Sequence, residues 1–202
     1  NENTINNATF IRFDHELTRE IIYNAIPPVQ RRKLHNQIID YIENLGESSS
    51  LYSYGQLAYH YENVNNFSKV ALLLNKDGHK YRRNSQSEFA LKQFETSLDF
   101  VKRVQKENIG DLPPLEADNL VERIKLLNDL YGSLKSYDSI RSLHVLTNFI
   151  PNTHYLGLVY YYFSRYHFDN DDEFNKATFY IDKAIEYFKQ NDLNDNYAKA
   201  IN

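Results

Sequence analysis

The chain of 202 residues has 23 Lys and Arg against 27 Asp and Glu, a formal net charge of −4, and 42% hydrophobic residues. These proportions are typical of a folded globular chain and not of a disordered one. Cysteine is absent, which excludes disulfides, thiolate catalysis and cysteine-ligated zinc. The charge is not basic enough to favour nucleic acid as the principal partner.

The apolar segments are short. None approaches the roughly 20 residues that cross a bilayer, and the start NENTINNATF lacks the basic and apolar regions of a signal peptide. We therefore expect a soluble, cytoplasmic protein without a membrane partner.

Residues 8–14, ATFIRFD, alternate apolar and polar side chains as a half-buried strand does. Every later segment has helical periodicity. Pro27 and Pro28 separate the first two helices, because proline lacks the N–H that an interior helical position donates. In the second helix, which Gly46 ends, the spacing predicts one apolar stripe: Leu34, Ile38, Ile42 and Leu45.

Further apolar stripes follow at the same period, and residues 107–114, ENIGDLPP, are the clearest linker between them. One of these stripes is Ala90, Phe94, Leu98, Val101 and Val104. In total the pattern predicts about ten helices with short connections. The predicted fold is therefore all-α, built of antiparallel helical hairpins with a short N-terminal strand.

Two segments offset by 20 residues share one pattern of large and small side chains. The first copy is Leu57, Ala58, Tyr61, Val70 and Leu74, and the second is Gly78, Tyr81, Ala90, Phe94 and Ser97. The pattern resembles the tetratricopeptide repeat, a helical hairpin of about 34 residues in which small residues face large ones where helices approach closely. Asp77 departs from it in the first copy.

Later copies of the pattern are weaker. In the fourth, Leu156, Gly157 and Tyr160 match the first helix, and eight extra residues precede the match of the second helix to Ala177, Ile181 and Ala184. The final residues NYAKAIN resemble the opening of a further, truncated helix. The resemblance covers roughly residues 51–190 and predicts a tetratricopeptide-like superhelix. A plain antiparallel helical bundle is the alternative.

Residues 13–35 read F-x-H-E-L-x-R-E-I-I-Y-N-A-I-P-P-x-x-R-R-x-L-H. This pattern resembles a junction in STAND-type signalling ATPases and in related regions of soluble adenylyl cyclases, multidomain kinases and maltose-activator-type regulators. There it leads from a winged-helix domain, which follows a nucleotide-binding module, into a tetratricopeptide sensor array. The resemblance implies that residues 1–46 are the end of a winged-helix domain and its coupling helices, followed by helical repeats over 51–106 and 115–202.

In that family a winged-helix histidine contacts the nucleotide phosphate, and the resemblance gives this nucleotide-binding role to His15. Packing at the strand-to-helix corner is the alternative. The chain has no G-x-x-x-x-G-K-[ST] phosphate loop. We therefore expect a non-catalytic segment without a cofactor, whose partners are a protein or peptide and the nucleotide-binding module of a larger signal-transduction ATPase.

Two other functions stay open. One is a free-standing tetratricopeptide adaptor, and the other is the regulatory part of a kinase or cyclase whose catalytic domains lie outside this chain.

The aromatic run HYLGLVYYYFSRYHF, residues 154–168, exceeds what one helical stripe can bury. If Leu156, Tyr160 and Phe163 face the core, the neighbouring tyrosines point elsewhere. Tyrosine is common at binding surfaces, because it combines apolar area with a polar tip. The run therefore predicts a partner-binding surface of Tyr161, Tyr162, Arg165 and Tyr166. Packing of these tyrosines against the next repeat is the alternative.

No metal site is expected. The seven histidines are scattered, and no pair has the spacing with an intervening Glu that makes a helical zinc site. The tract DNDDE, residues 169–173, lacks the Gly and the distal Glu of a calcium loop, so we interpret it as a solvated insertion.

Overall fold

The computed structural model describes residues 2–5, 8–11, 16–47, 49, 52–107, 112–150, 154–170, 173–191 and 193, and side chains from residue 17 onward. Over these residues the protein is all-α apart from a strand hairpin at its start, as predicted for the fold class. The hairpin pairs β1 (Glu2–Ile5) with β2 (Ala8–Ile11) in antiparallel register. β2 coincides with the first four residues of the predicted strand, and residues 12–15 lie outside the described part.

Nine α-helices follow in the described residues, with a 3₁₀ turn at Ser133–Ser136 before the seventh. They are α1 (Glu16–Ala25), α2 (Pro28–Leu45), α3 (Tyr54–Asn63), α4 (Phe67–Arg83), α5 (Ser87–Lys106), α6 (Pro113–Tyr131), α7 (Tyr137–Leu146), α8 (Tyr155–Phe168) and α9 (Phe174–Gln190). Prolines occupy the first turns of α2 and α6, where no intrahelical donor is lost. Gly46 and Gly132 follow the same two helices with φ of 72° and 86°, which a side chain would strain.

Contacts between helices run mainly between neighbours in the chain, from α2 to α9, and α4 also reaches α6. The largest apolar cluster joins α5, α6, α7 and α8, with Leu98, Ala117 and Val159 among its buried members. α5 and α6 therefore share a core across the predicted linker. The core extends along the stack of helices and has no single centre.

Two successive helical hairpins, α3–α4 and α4–α5, turn in the same way. Asn65 and Ser85, the middle residues of the α3–α4 and α4–α5 connections, both have positive φ, 62° and 58°. The next N–H in each case, of Asn66 and Gln86, donates to the carbonyl oxygen five residues earlier at 3.0 Å. The 20-residue offset in the sequence is thus an offset between two connections of one geometry.

Two glycines allow helices to approach closely. A Cβ on Gly78 would lie 2.8 Å from the Phe94 ring, and one on Gly157 would lie 2.2 Å from the Phe188 ring. Phe188 therefore faces Gly157 as Phe94 faces Gly78. The sequence pattern placed Ile181, seven residues before Phe188, at the position equivalent to Phe94.

The predicted stripe of α2 is wrong in part. Its buried residues are His35, Ile39 and Ile42, whereas Leu34 and Ile38 are 45% and 38% exposed. The helix carries apolar side chains on two faces, and only one of them meets α3. α1 is more exposed still, because Tyr23 is the one residue from 17 to 25 that is half-buried.

Candidate functional site

Polar side chains, not apolar ones, face each other between α4 and α6. His79 Nε2 lies 2.9 Å from Asp118 Oδ2, and the Arg82 guanidinium bonds the Glu122 carboxylate. Lys125 Nζ donates to Glu122 Oε1 at 2.8 Å. Because these positions repeat at one-turn spacing on both helices, they form a continuous line, which we call the polar row: Asn75, His79, Arg82, Asp118, Glu122 and Lys125.

Buried hydrogen bonds hold the row in place. Asn75 Nδ2 donates to Asp118 Oδ2 at 2.7 Å and to Asn119 Oδ1 at 3.1 Å. Asn119 Nδ2 donates in turn to Ser97 Oγ at 2.8 Å, and Ser97 Oγ donates to the Ala71 carbonyl oxygen at 2.7 Å. Asn119 and Ser97 are fully buried. Since buried polar groups are costly when unpaired, this network defines how α4, α5 and α6 align.

The charges of the row stabilise one another. Burial alone raises the pKa of Asp118, but hydrogen bonds from His79 and Asn75 outweigh it and hold that pKa below its ordinary value. The hydrogen bond to Asp118 raises the pKa of His79 despite its partial burial. The Glu122 side chain is only 5% exposed and has two cationic partners. A buried carboxylate without such partners would be strongly destabilising.

A cleft lies on each side of the polar row. The first, of about 600 Å³, is lined by Glu47, Tyr54, Lys76, His79, Arg82 and Arg83. The second, of about 280 Å³, lies between α6 and α8, and its lining includes Asp118, Glu122, Lys125, His154, Tyr155 and Tyr161. The first cleft includes the row residues His79 and Arg82, and the second includes Asp118, Glu122 and Lys125. We call the row and the two clefts beside it the groove.

Of the four predicted partner-binding residues, Tyr161 and Tyr162 both line the second cleft of the groove, and Tyr161 is the more exposed of the two. The half-buried ring of Tyr161 contacts the ring of Tyr162 at 5.3 Å between centroids. Tyr162 is 6% exposed and belongs to the core, so its expected position away from the core was wrong. The core face of α8 is Gly157, Val159, Tyr162 and Phe163. Burial also raises the pKa of the Tyr162 phenol.

The remaining predicted residues lie elsewhere. The half-buried ring of Tyr166 packs on Tyr137 at 4.6 Å between centroids, and Arg165 is exposed. Neither lines the groove. His15, the predicted nucleotide-contacting residue, lies outside the described residues.

Sequence reasoning missed the groove residues themselves. His79 is considered above only as one of the scattered histidines, and Asp118 and Glu122 are not named there. A signal does exist, since Asn75, His79 and Arg82 repeat at helical spacing within α4, as do Asp118, Glu122 and Lys125 within α6. Pairing the two lines required knowing that α4 and α6 are in contact.

The tract after α8 is anchored at both ends. Ser133 bonds Asp169, and His167 and Lys176 both bond Glu173. In the part of the chain that the structure describes, no three His, Cys, Asp or Glu side chains are arranged to hold a metal ion. The described helices also include none with the length and apolarity of a membrane span.

Comparisons with known proteins add no relative: a scan of family models, a search of curated proteins and a search of solved structures found no match.

Proposed function

We propose that this chain is a non-catalytic protein-binding segment of a larger signal-transduction ATPase. A tetratricopeptide-like stack, α3 to α9, binds an extended segment of a partner protein in the groove. α1 and α2 couple that stack to a nucleotide-binding module. The observation that carries the proposal is that the two clefts meet the same polar row, one on α4 and the other on α6.

Several features support the tetratricopeptide-like part. Helices contact their neighbours in the chain, as in linear repeat arrays. The Gly78–Phe94 and Gly157–Phe188 approaches pair a small residue with a large one, as that repeat does. The two connections with one geometry, 20 residues apart, fit a helix that serves two successive hairpins.

The chemistry of the groove suits a peptide. Its clefts combine half-buried tyrosines with charged groups of both signs, and the charges are already paired within the row. A partner would therefore obtain most of its affinity from contact with rings such as Tyr155 and Tyr161 and from hydrogen bonds to the rim. Paired charges would select among peptides more than they would increase affinity.

The coupling role is supported by the second apolar face of α2. Leu34, Ile38 and Tyr41 follow one another at helical spacing and are 45%, 38% and 59% exposed. Leu17 and Ile21 are similarly exposed on α1. Neighbouring exposed apolar side chains on two successive helices are typical of a surface that another domain covers. We assign the nucleotide-binding module as that domain.

Selection of displayed random peptides on the immobilised chain tests the groove. We expect selected peptides to lose at least about tenfold in affinity when Tyr161 is replaced by Ala, since one aromatic anchor contributes more than about 1.4 kcal/mol. The matched control is Tyr131→Ala, because Tyr131 is 56% exposed and does not line either cleft. Equal affinity for both variants would place binding elsewhere.

Reading the codons upstream of residue 1 tests the coupling role separately. A phosphate-loop motif roughly 200 to 350 residues upstream, the span of one or two domains, would support the signalling ATPase. A start codon directly before residue 1 would instead support the free-standing adaptor.

A further inference from the structure

A chain of hydrogen bonds joins the first three helices. The His35 and His60 rings, from α2 and α3, bond to each other with 2.7 Å between their Nδ1 atoms. The Tyr23 hydroxyl, from α1, lies 2.9 Å from His35 Nε2 and donates to Asn63 Oδ1 at 3.2 Å. We call Tyr23, His35 and His60 the histidine joint.

The partners assign the proton positions. Asn63 Nδ2 donates to the Tyr59 carbonyl oxygen at 2.8 Å, so Asn63 Oδ1 faces Tyr23 as an acceptor. When the single Tyr23 hydroxyl proton is placed on that bond, the hydroxyl, which the Tyr59 side chain also hydrogen-bonds, accepts from His35 Nε2–H. A neutral imidazole has one N–H, so His35 Nδ1 is the acceptor. His60 therefore donates from Nδ1.

This arrangement accepts one additional proton but not two. A proton on His60 Nε2 leaves the Nδ1–H of His60 still donating to His35. A further proton on His35 Nδ1 would place two N–H groups against each other across 2.7 Å, with two positive charges. The bond between α2 and α3 cannot persist in that state.

The surroundings of the pair also oppose protonation. Arg31 of α2 lies over the Tyr23 ring at 5.1 Å, and its positive charge disfavours protonation of His35. The positive charge of Arg19 of α1 partly offsets the rise in the pKa of Tyr59 that burial causes. Tyr59 from α3 and Tyr23 from α1 are phenols that contact the His35 ring. Among the described residues, no carboxylate is hydrogen-bonded to either imidazole. Burial, and then the charge of Arg31, lower the pKa of His35; burial, and then His35, lower that of His60.

We propose that the histidine joint is a proton-sensitive connection that holds α1 and α2 on α3 and releases them when both imidazoles are protonated. Tyr23 is the residue of α1 from 17 to 25 that is not exposed, and Arg19 of α1 also interacts with Tyr59. Each proton that the released state binds and the closed state does not shifts the equilibrium by about tenfold per pH unit. The proposal concerns only α1 to α3. The joint can therefore fail to release while the groove still binds a peptide, and the groove can fail to bind a peptide while the joint still releases.

Nitrogen-15 NMR of the histidine rings in the full chain tests the assigned protons. At pH 7.5 we expect the Nε2–H tautomer for His35 and the Nδ1–H tautomer for His60. His35→Gln and His60→Gln spectra assign the two signals. An Nδ1–H tautomer for His35 at that pH would overturn the proposal.

Hydrogen exchange tests the release. Lowering the pH from 7.5 to 5.0 should reduce the protection factors of α1 and α2 by at least about tenfold, with those of α6 nearly unchanged. In Tyr23→Phe, protection of α1 should already be at least about fivefold lower at pH 7.5, because both hydrogen bonds of the Tyr23 hydroxyl are lost, and should depend little on pH. Tyr131→Phe, at a 56% exposed position in α6, is the control and should behave as the unchanged chain does. Protection of α1 that does not change with pH while both rings titrate would contradict the proposal.

Discussion

Histidines in the joint and in the groove have similar burial, but their hydrogen-bond partners differ in charge. His60 and His79 are both half-buried, but His60 bonds another imidazole whereas His79 bonds the Asp118 carboxylate. The pKa of His60 is lowered by burial and by His35, and that of His79 is raised by its hydrogen bond to Asp118. The partner of the ring, and not its burial alone, thus decides the sign of the shift.

The two regions differ in packing as well. Around the groove the helices bury their apolar side chains and leave charges paired on the surface. In α2 this arrangement of buried apolar and exposed polar side chains is partly reversed, because His35 is buried while Leu34 and Ile38 are exposed. α2 thus has apolar side chains on both its buried and its exposed face, whereas the facing side chains of α4 and α6 at the groove are polar and paired.

The largest effect should come from the core of the stack. Tyr162→Ala removes a 6% exposed ring from the main apolar cluster and should lower the free energy of unfolding by about 3–5 kcal/mol. Tyr161→Ala should lose less than half as much, because that ring is half-buried at the cleft. Urea denaturation of the two variants measures the difference. Equal losses would mean that Tyr161 is a core residue and not a groove residue.

The two faces of α2 allow a sharper test with adjacent residues. Ile39→Ala, at a 4% exposed position, should lower the free energy of unfolding by about 2–5 kcal/mol. Ile38→Ala, at a 38% exposed position, should stay within about 0.5 kcal/mol of the unchanged chain. Denaturant midpoints with unchanged slopes give both values. A large loss for Ile38→Ala would show that the outer face is already covered.

The sequence was informative where a helix has one apolar face. In α5, the whole predicted stripe from Ala90 to Val104 is buried. In α2 the stripe was assigned to Ile38 and not to Ile39, because two adjacent isoleucines and a buried histidine leave the periodicity ambiguous. In α8 nearly every position is apolar or aromatic, so periodicity cannot choose the inward face, and Tyr162 was assigned outward.

Side-chain contacts between residues far apart in the chain could not be predicted from the sequence, for a different reason. The contact of His79 with Asp118 joins residues 39 apart in the chain, and that of His35 with His60 joins residues 25 apart. Each needs the relative rotation of two helices, which local patterns do not specify. The register of Phe188 opposite Gly157 was missed likewise, since the insertion could be divided between α8, α9 and their connection in several ways.

A smaller effect is expected in the groove, with its own dependence on pH. Because the pKa of His79 is raised above its ordinary 6.5, its pairing with Asp118 stabilises the fold below that pH and this contribution is lost as the pH rises through the folded pKa. The stability difference between the unchanged chain and His79→Gln should therefore decrease from pH 6 to pH 8. It should stay below about 1 kcal/mol, since both groups are more than a third exposed. Urea denaturation at the two pH values measures it, and a difference that increases with pH would contradict the assignment.

Hydrogen exchange of the unchanged chain at pH 7.5 and pH 5.5 tests the contrast between the two regions in one sample. For His35 and His60 the folded pKa lies below the ordinary 6.5, so stability is complete above that value and falls as the pH drops below it. We predict that protection factors of α1 and α2 fall over this interval while those of α5 and α6 hold or increase. A parallel decrease in all four helices, or none in α1 and α2, would contradict the account.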